Sequence, residues 1–257
     1  MPGRLVENLE RHGALSAGER LAVEALAGAP RLVPAGAELV ADGEAAADFL
    51  LLLDGQAFRH KTLQDGRRQI LGFHTPGDVL DMQRLFLAVD YGVSALTGCR
   101  VAAVPGAKLA EALNEHPRLA QALWRMSLVE ASIQREWMVG MGRKSAYARV
   151  AHLLCEMFVR LRAAGLSTGE RCRFPATQAH LADAVGLSQV HLNRVLQQLR
   201  TARLAAFRAR ELLILDWAGL AAAGGFEGHY LHLPPHIAQP RPSPQGVAPR
   251  AGRITSA

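Results

Sequence analysis

The spacing of apolar positions changes from segment to segment along the chain. Residues 5–27 follow a helical spacing, with Leu5, Leu9, Leu21 and Leu26 as apolar positions and Ser16 placed to cap a second stretch of helix. From Arg31 the pattern becomes short apolar or alternating runs, broken by Pro34-Ala35-Gly36, Asp42-Gly43, Asp54-Gly55, Asp65-Gly66 and Pro76-Gly77-Asp78. Turn residues at such intervals predict a small antiparallel β-roll or barrel over about residues 31–105. Within it the continuous run Phe49–Leu53 predicts a strand buried on both faces. Helical spacing returns at Gly106, with a short helix over Lys108–Leu113 and a long one from Pro117, a residue suited to a first turn, to about 141. Leu119, Leu123, Met126, Ile133 and Trp137 recur there at intervals of three, four or seven, which predicts a homodimer seam. Gly140-Met141-Gly142 predicts an interruption and hinge. A further helix over about 144–163 carries Val150, Leu153, Leu154, Met157, Phe158 and Leu161 on one face and ends at Gly165.

The segment 177–200 is the most informative. Thr177 and Ser188 are placed to cap two successive helices, and Gly186 supplies the left-handed residue of a tight turn between them. Leu181 and Val185 form a buried face, Ala182 permits a close helix crossing, and Leu187 plugs the turn. Leu192, Val195, Leu196 and Leu199 form an i, i+3, i+4, i+7 stripe on the second helix. Its opposite face holds Gln189, Val190, His191, Asn193, Arg194, Gln197 and Gln198, groups suited to base edges. This pattern predicts a DNA-binding helix-turn-helix. Leu204–Asp216 predicts a two-stranded wing with Arg208 and Arg210 at its tip, in reach of phosphate.

Charge distribution supports that reading. Residues 1–140 carry 14 Lys/Arg against 17 Asp/Glu, whereas residues 141–217 carry 12 against 5. The basic block attracts a polyanion and releases its counterions on binding. No apolar run approaches a membrane span, and Met1–Glu10 shows no secretion signal. Cys99, Cys155 and Cys172 are isolated in sequence, as expected of buried thiols in a reducing cytoplasm.

Gly36, Gly43, Leu52, Gly55, the run Gly66–Leu71, Pro76-Gly77-Asp78 and the whole of 177–200 resemble the Crp/Fnr superfamily of bacterial transcription regulators, over residues 10–217. The resemblance implies an α+β fold: an N-terminal antiparallel β-roll of the cyclic-nucleotide-binding kind, a long dimerisation helix and a C-terminal winged helix-turn-helix. The expected divisions are 1–116 for N-terminal helices and roll, 117–142 for dimer helix and hinge, 143–220 for the DNA-binding domain and 221–257 for a disordered tail. It further implies a homodimer on a two-fold symmetric site, with RNA polymerase as a further partner and no membrane. Thr177 and Ser188 match phosphate-contacting positions and Arg194 a base-reading arginine, while Gln189 and Val190 replace an arginine and a glutamate. The expected base-reading set is therefore Gln189, His191, Asn193 and Arg194. The expected phosphate set is Thr177, Gln178, Ser188, Arg200, Arg208 and Arg210.

The sensor departs from the family pattern. Cyclic-nucleotide members hold the ribose with a glutamate after Pro-Gly-Asp and the cyclic phosphate with an arginine followed by serine. Met82 falls at the glutamate position, and Val93-Ser94-Ala95 stands where Arg-Ser-Ala would be. Cyclic AMP is therefore not the expected effector; an effector pocket is expected at Gly77, Asp78, Met82, Arg84 and Ser94, with Arg84 as the nearby substitute phosphate partner. No cofactor is expected, because the N-terminus lacks the cysteine cluster of iron–sulfur members and His60, His74 and Cys99 read as ordinary residues rather than haem ligands. No metal is expected at the loosely spaced His229, His232 and His236. The chain contains no Gly-x-Ser-x-Gly, phosphate loop or His-Glu-x-x-His, so it reads as a non-enzyme. The alternative reading is a sensor module without transcriptional output.

Overall fold

The computed structural model describes residues 3–11, 13–234 and 237. Helices α1 (Gly3–Glu10) and α2 (Ala17–Leu26) precede the strands, and Ser16 opens α2 with a reciprocal cap. Its hydroxyl accepts from Glu19 N at 3.3 Å while the Glu19 carboxylate accepts from Ser16 N at 2.6 Å. Strands β1 (Arg31–Val33), β2 (Glu38–Val40), β3 (Asp48–Asp54), β4 (Ala57–Thr62), β5 (Arg68–His74), β6 (Gly92–Ala95) and β7 (Cys99–Pro105) follow. They pair antiparallel in the orders β1-β7-β3 and β2-β6-β4-β5 and enclose Leu50, Leu52, Leu80, Val93 and Val101. Phe49, Leu51 and Leu53 point the other way, into a cluster with α1, α2 and the helices after the roll. Strand β3 is thus buried on both faces, as its unbroken apolar run requires.

Helices α3 (Gly106–Glu115), α4 (Pro117–Arg143) and α5 (Ala146–Ala163) come next. The break between α4 and α5 falls at Lys144, not at Gly140–Gly142. Lys144 adopts an extended backbone and Ser145 caps α5 by accepting from Ala148 N at 3.2 Å. Both glycines stay helical despite a propensity cost of about 1 kcal/mol each: Gly140 is buried near the Arg149 stem, whereas Gly142 is exposed.

The residues of the expected dimer seam are spent inside the chain. Leu119 and Leu123 are buried against the chain's own helices and β3, and Met126 packs on the same cluster. Ile133 and Trp137 pack into the core formed with α5. The outward positions are Trp124 at 73% exposure, Leu128 at 60%, Arg135 and Met138 at 74%, with Ala131 half-buried between them. Their 4-3-4-3 spacing is that of a coiled-coil stripe. The helix carries two apolar stripes, and spacing alone did not say which one the roll consumes.

Beyond α5 lie β8 (Ser167–Thr168), β9 (Arg171–Arg173), α6 (Gln178–Val185), α7 (Gln189–Thr201), β10 (Ala205–Arg208), β11 (Glu211–Ile214) and α8 (Trp217–Gly224). The wing is a sheet ordered β10-β11-β9-β8 rather than a lone hairpin. The expected disordered tail is folded through residue 234: Asp216 caps α8 by accepting from Gly219 N at 3.0 Å, and a 3-10 turn follows at Gly228–Leu231. Small residues that suggested disorder instead permit contact, since a methyl group on Gly224 would stand 2.6 Å from His152 N on α5. His236 lies outside the described residues, and no metal-ligating cluster occurs among those described. No described helix is long and apolar enough to cross a membrane.

Candidate DNA interface and the roll interior

The helix-turn-helix is assembled by local hydrogen bonds. Thr177 Oγ1 accepts from His180 N at 3.2 Å, and His180 Nδ1 accepts from Thr177 N at 3.3 Å. Gly186 sits at φ 63°, ψ 44°, and Leu187 N closes the turn on Ala182 O at 3.0 Å. Ser188 accepts from His191 N at 3.2 Å and starts α7, whose 13 residues span about 20 Å. Leu192, Val195, Leu196 and Leu199 are buried, while Gln189, Val190, His191, Asn193, Arg194, Gln197 and Gln198 are all exposed. The expected base-reading residues therefore share one solvent-facing surface.

The expected phosphate contacts flank that surface. Thr177 and Gln178 are half-buried at the start of α6, while Ser188, Arg200, Arg208 and Arg210 are exposed. Ala209 at φ 53° and Arg210 at φ 62° form the two-residue tip between β10 and β11. That turn ordinarily uses Asn or Gly.

The helix-turn-helix docks on the roll. Arg68 of β5 makes a two-pronged ion pair with Asp183 of α6, at 3.0 Å and 2.8 Å. The Phe58 ring lies 4.9 Å from that of His180, and Gln69 donates to Ala184 O at 3.3 Å. Burial and then Arg68 push the His180 pKa down. The contact was not anticipated from sequence.

The roll does not bring the expected effector residues into one pocket. Gly77 abuts α1, where a methyl group would collide with the Arg4 carbonyl. Asp78 accepts from Thr75 N and Asn8 Nδ2 at 2.9 Å each. Ser94 points outward to His60 Nε2 at 2.9 Å, and Met82 packs toward the helices rather than into the roll interior. Arg84 is already engaged, 2.7 Å from Asp81 and 3.1 Å from Glu44. A cavity of about 110 Å³ between β5, α4 and α5 is lined by Asp78 and Met82 of the expected set.

One interior cation escaped the sequence reading. Arg59 on β4 is 8% exposed, lies in register with Val93 on β6, and bonds to Glu130 of α4. Its guanidinium carbon lies 4.1 Å from the centroid of the Tyr91 ring, and Nη2 lies 3.4 Å from Leu80 O. The available signal was positional: Ala57 and Arg59 share the inward parity of β4, where an arginine is out of place.

Residues 30–116 match the cyclic nucleotide-binding domain family and residues 148–223 the Crp-like helix-turn-helix domain family. The nitrogen fixation regulation protein FixK of Bradyrhizobium diazoefficiens is 32% identical over 177 residues, covering 68% of this chain and 73% of FixK. The chain belongs to the Crp/Fnr superfamily of bacterial transcription regulators. The transcriptional activator protein FnrL of Cereibacter sphaeroides is 29% identical over 185 residues, 69% of this chain and 73% of FnrL. Among solved structures, FixK2 from Bradyrhizobium japonicum aligns with a TM-score of 0.71 at 27% identity, covering 78% of this chain and 98% of FixK2. The Crp/Fnr relatives are regulators rather than enzymes, and the α+β architecture of roll, long helix and winged helix-turn-helix is theirs. As a Crp/Fnr member the chain is a DNA-binding regulator.

Proposed function

We propose that this Crp/Fnr regulator acts in the cytoplasm as a homodimer on a two-fold symmetric operator, its half-sites about 34 Å apart. The observation that carries this is the α7 surface: polar and cationic side chains all exposed above a fully buried apolar stripe. Arg194 and Asn193 read base edges, with Gln189 and His191 beside them, while Thr177, Gln178, Ser188, Arg200, Arg208 and Arg210 hold phosphates. Dimerisation uses the outward seam Trp124, Leu128, Ala131, Arg135 and Met138. Relatives named as transcriptional activators favour activation through RNA polymerase. A sensor module without output would not need an intact reading helix.

The experiment is selection of fragments of the source genome by the purified protein at fixed salt, followed by sequencing. Enrichment of a two-fold symmetric motif is the expected result. Retention of DNA without any motif would overturn the reading.

A further inference from the structure

The alternation of β4 places Phe58 and His60 on the helix-turn-helix side and Arg59 inside the roll. A buried guanidinium is costly unless a carboxylate partners it. Glu130, reaching in from α4, is that carboxylate. Arg59 Nε has no hydrogen-bond partner, and neither have Nε and Nη1 of Arg84, so what separates the two guanidiniums is their carboxylates: one from the long helix for Arg59, two from the roll for Arg84. The other interior cation, Arg84, is already matched by Asp81 and Glu44. Together these five groups carry more negative than positive charge, so an entering phosphate would meet no unmatched cation.

We propose that Arg59 is the anion-binding residue of the roll and that Glu130 is its built-in ligand. A carboxylate of the long helix occupies the arginine, delivered from β4 to the spot beside Val93. The roll and α4 are therefore tied together by the chain itself, and a cyclic nucleotide does not enter. A free carboxylate monoanion takes the place of Glu130 only when that side chain is removed. The DNA readout of this proposal rests on the regulator reading above; the thermal readout does not.

The test uses the full chain and its Glu130→Ala variant, with Glu130→Gln as a milder substitute should the first fail to fold. Thermal unfolding is followed against sodium acetate and sodium formate, with chloride at equal ionic strength as the reference. The expected result is a lower Tm for the variant and recovery of about 2–4 °C at saturating acetate or formate. The unaltered protein and the double variant Arg59→Met with Glu130→Ala show no such recovery. Operator affinity of Glu130→Ala falls and returns with acetate. A Glu130 variant that ignores both anions, or a double variant that responds equally, overturns the proposal. So does a rise in Tm of the unaltered protein with cyclic AMP. Failure of the unaltered protein to select any operator would count against the regulator reading and leave the thermal arm to decide the Arg59 site.

Discussion

Lys144 Nζ lies 2.7 Å from His152 Nδ1 and donates to the carbonyls of Gly224 at 3.0 Å and Gly225 at 3.2 Å. The residue that breaks α4 from α5 thereby also fastens the end of α8. On the other side of the ring, His152 Nε2 is 3.0 Å from Tyr230 Oη, which donates to the fully buried Glu156 at 2.8 Å. Trp137 Nε1 donates to the same carboxylate at 2.9 Å, so one polar chain joins long helix, α5 and C-terminal segment.

This chain gives stability an acid limb. Burial first and Lys144 second push the His152 pKa from 6.5 to about 4. The unfolded state therefore binds more protons between those values. The contribution is complete above pH 6.5 and is lost as pH falls toward 4, by up to about 3 kcal/mol. Facing the ring are Lys144, Tyr230, Glu136 and the backbone of Gly224 and Gly225; Glu136 and the two glycine carbonyls favour the imidazolium but do not offset burial and Lys144. Melting curves from pH 7.5 to 4 are expected to fall steeply for the native chain and less steeply for His152→Gln.

The proposed dimer stripe of α4 and its inward stripe are expected to have separable phenotypes. Leu128→Glu with Met138→Glu is expected to give a folded monomer by sedimentation velocity, with operator binding sharply weakened. Leu119→Ala, on the inward stripe, is expected to cost about 2–5 kcal/mol of stability in chemical denaturation. It should leave the sedimentation coefficient of the folded fraction unchanged.

Base reading and phosphate contact are distinguished by salt. Arg194→Ala is expected to cost about 1–3 kcal/mol on the cognate duplex and little on a scrambled one. Arg208→Ala should weaken both duplexes alike and lower the slope of log affinity against log salt by about 1. Unchanged discrimination by Arg194→Ala in a competition titration would remove that residue from the reading set.

Two left-handed turn positions move stability in opposite directions. Gly186→Ala forces a side chain onto φ 63° and is expected to cost about 1–2 kcal/mol, seen as a lower denaturation midpoint. Ala209→Gly relieves the same conformation at the wing tip and is expected to gain about 1 kcal/mol.

Features governed by short-range rules were legible in the sequence. The caps at Ser16, Thr177 and Ser188 and the left-handed Gly186 are set by neighbours within a few residues, and the doubly buried β3 shows as an unbroken apolar run. What escaped needed knowledge of the partner surface. Trp124 and Leu128 belong to one stripe of α4 and Leu119 and Leu123 to another, and only packing tells which is spent internally. Strand β9 offers just Cys172 as an inward residue between Arg171 and Arg173, too little for an alternation signal. Helix α8 is rich in Gly and Ala, a composition shared by loose chains and by close-packed helices. The link from Arg68 to Asp183 spans 115 positions, beyond any local pattern.

Strand β4 acts as a gauge read from both sides. Successive side chains of a pleated strand point to opposite faces, so neighbours on β4 meet different partners. Arg59 touches the long helix through Glu130, and its neighbour Phe58 touches the helix-turn-helix through His180. One strand therefore carries, on adjacent residues, a contact to α4 and a contact to α6. The long helix also meets the DNA-reading unit directly, where Met141 lies against Gly186, so β4 is a second line of contact between the two.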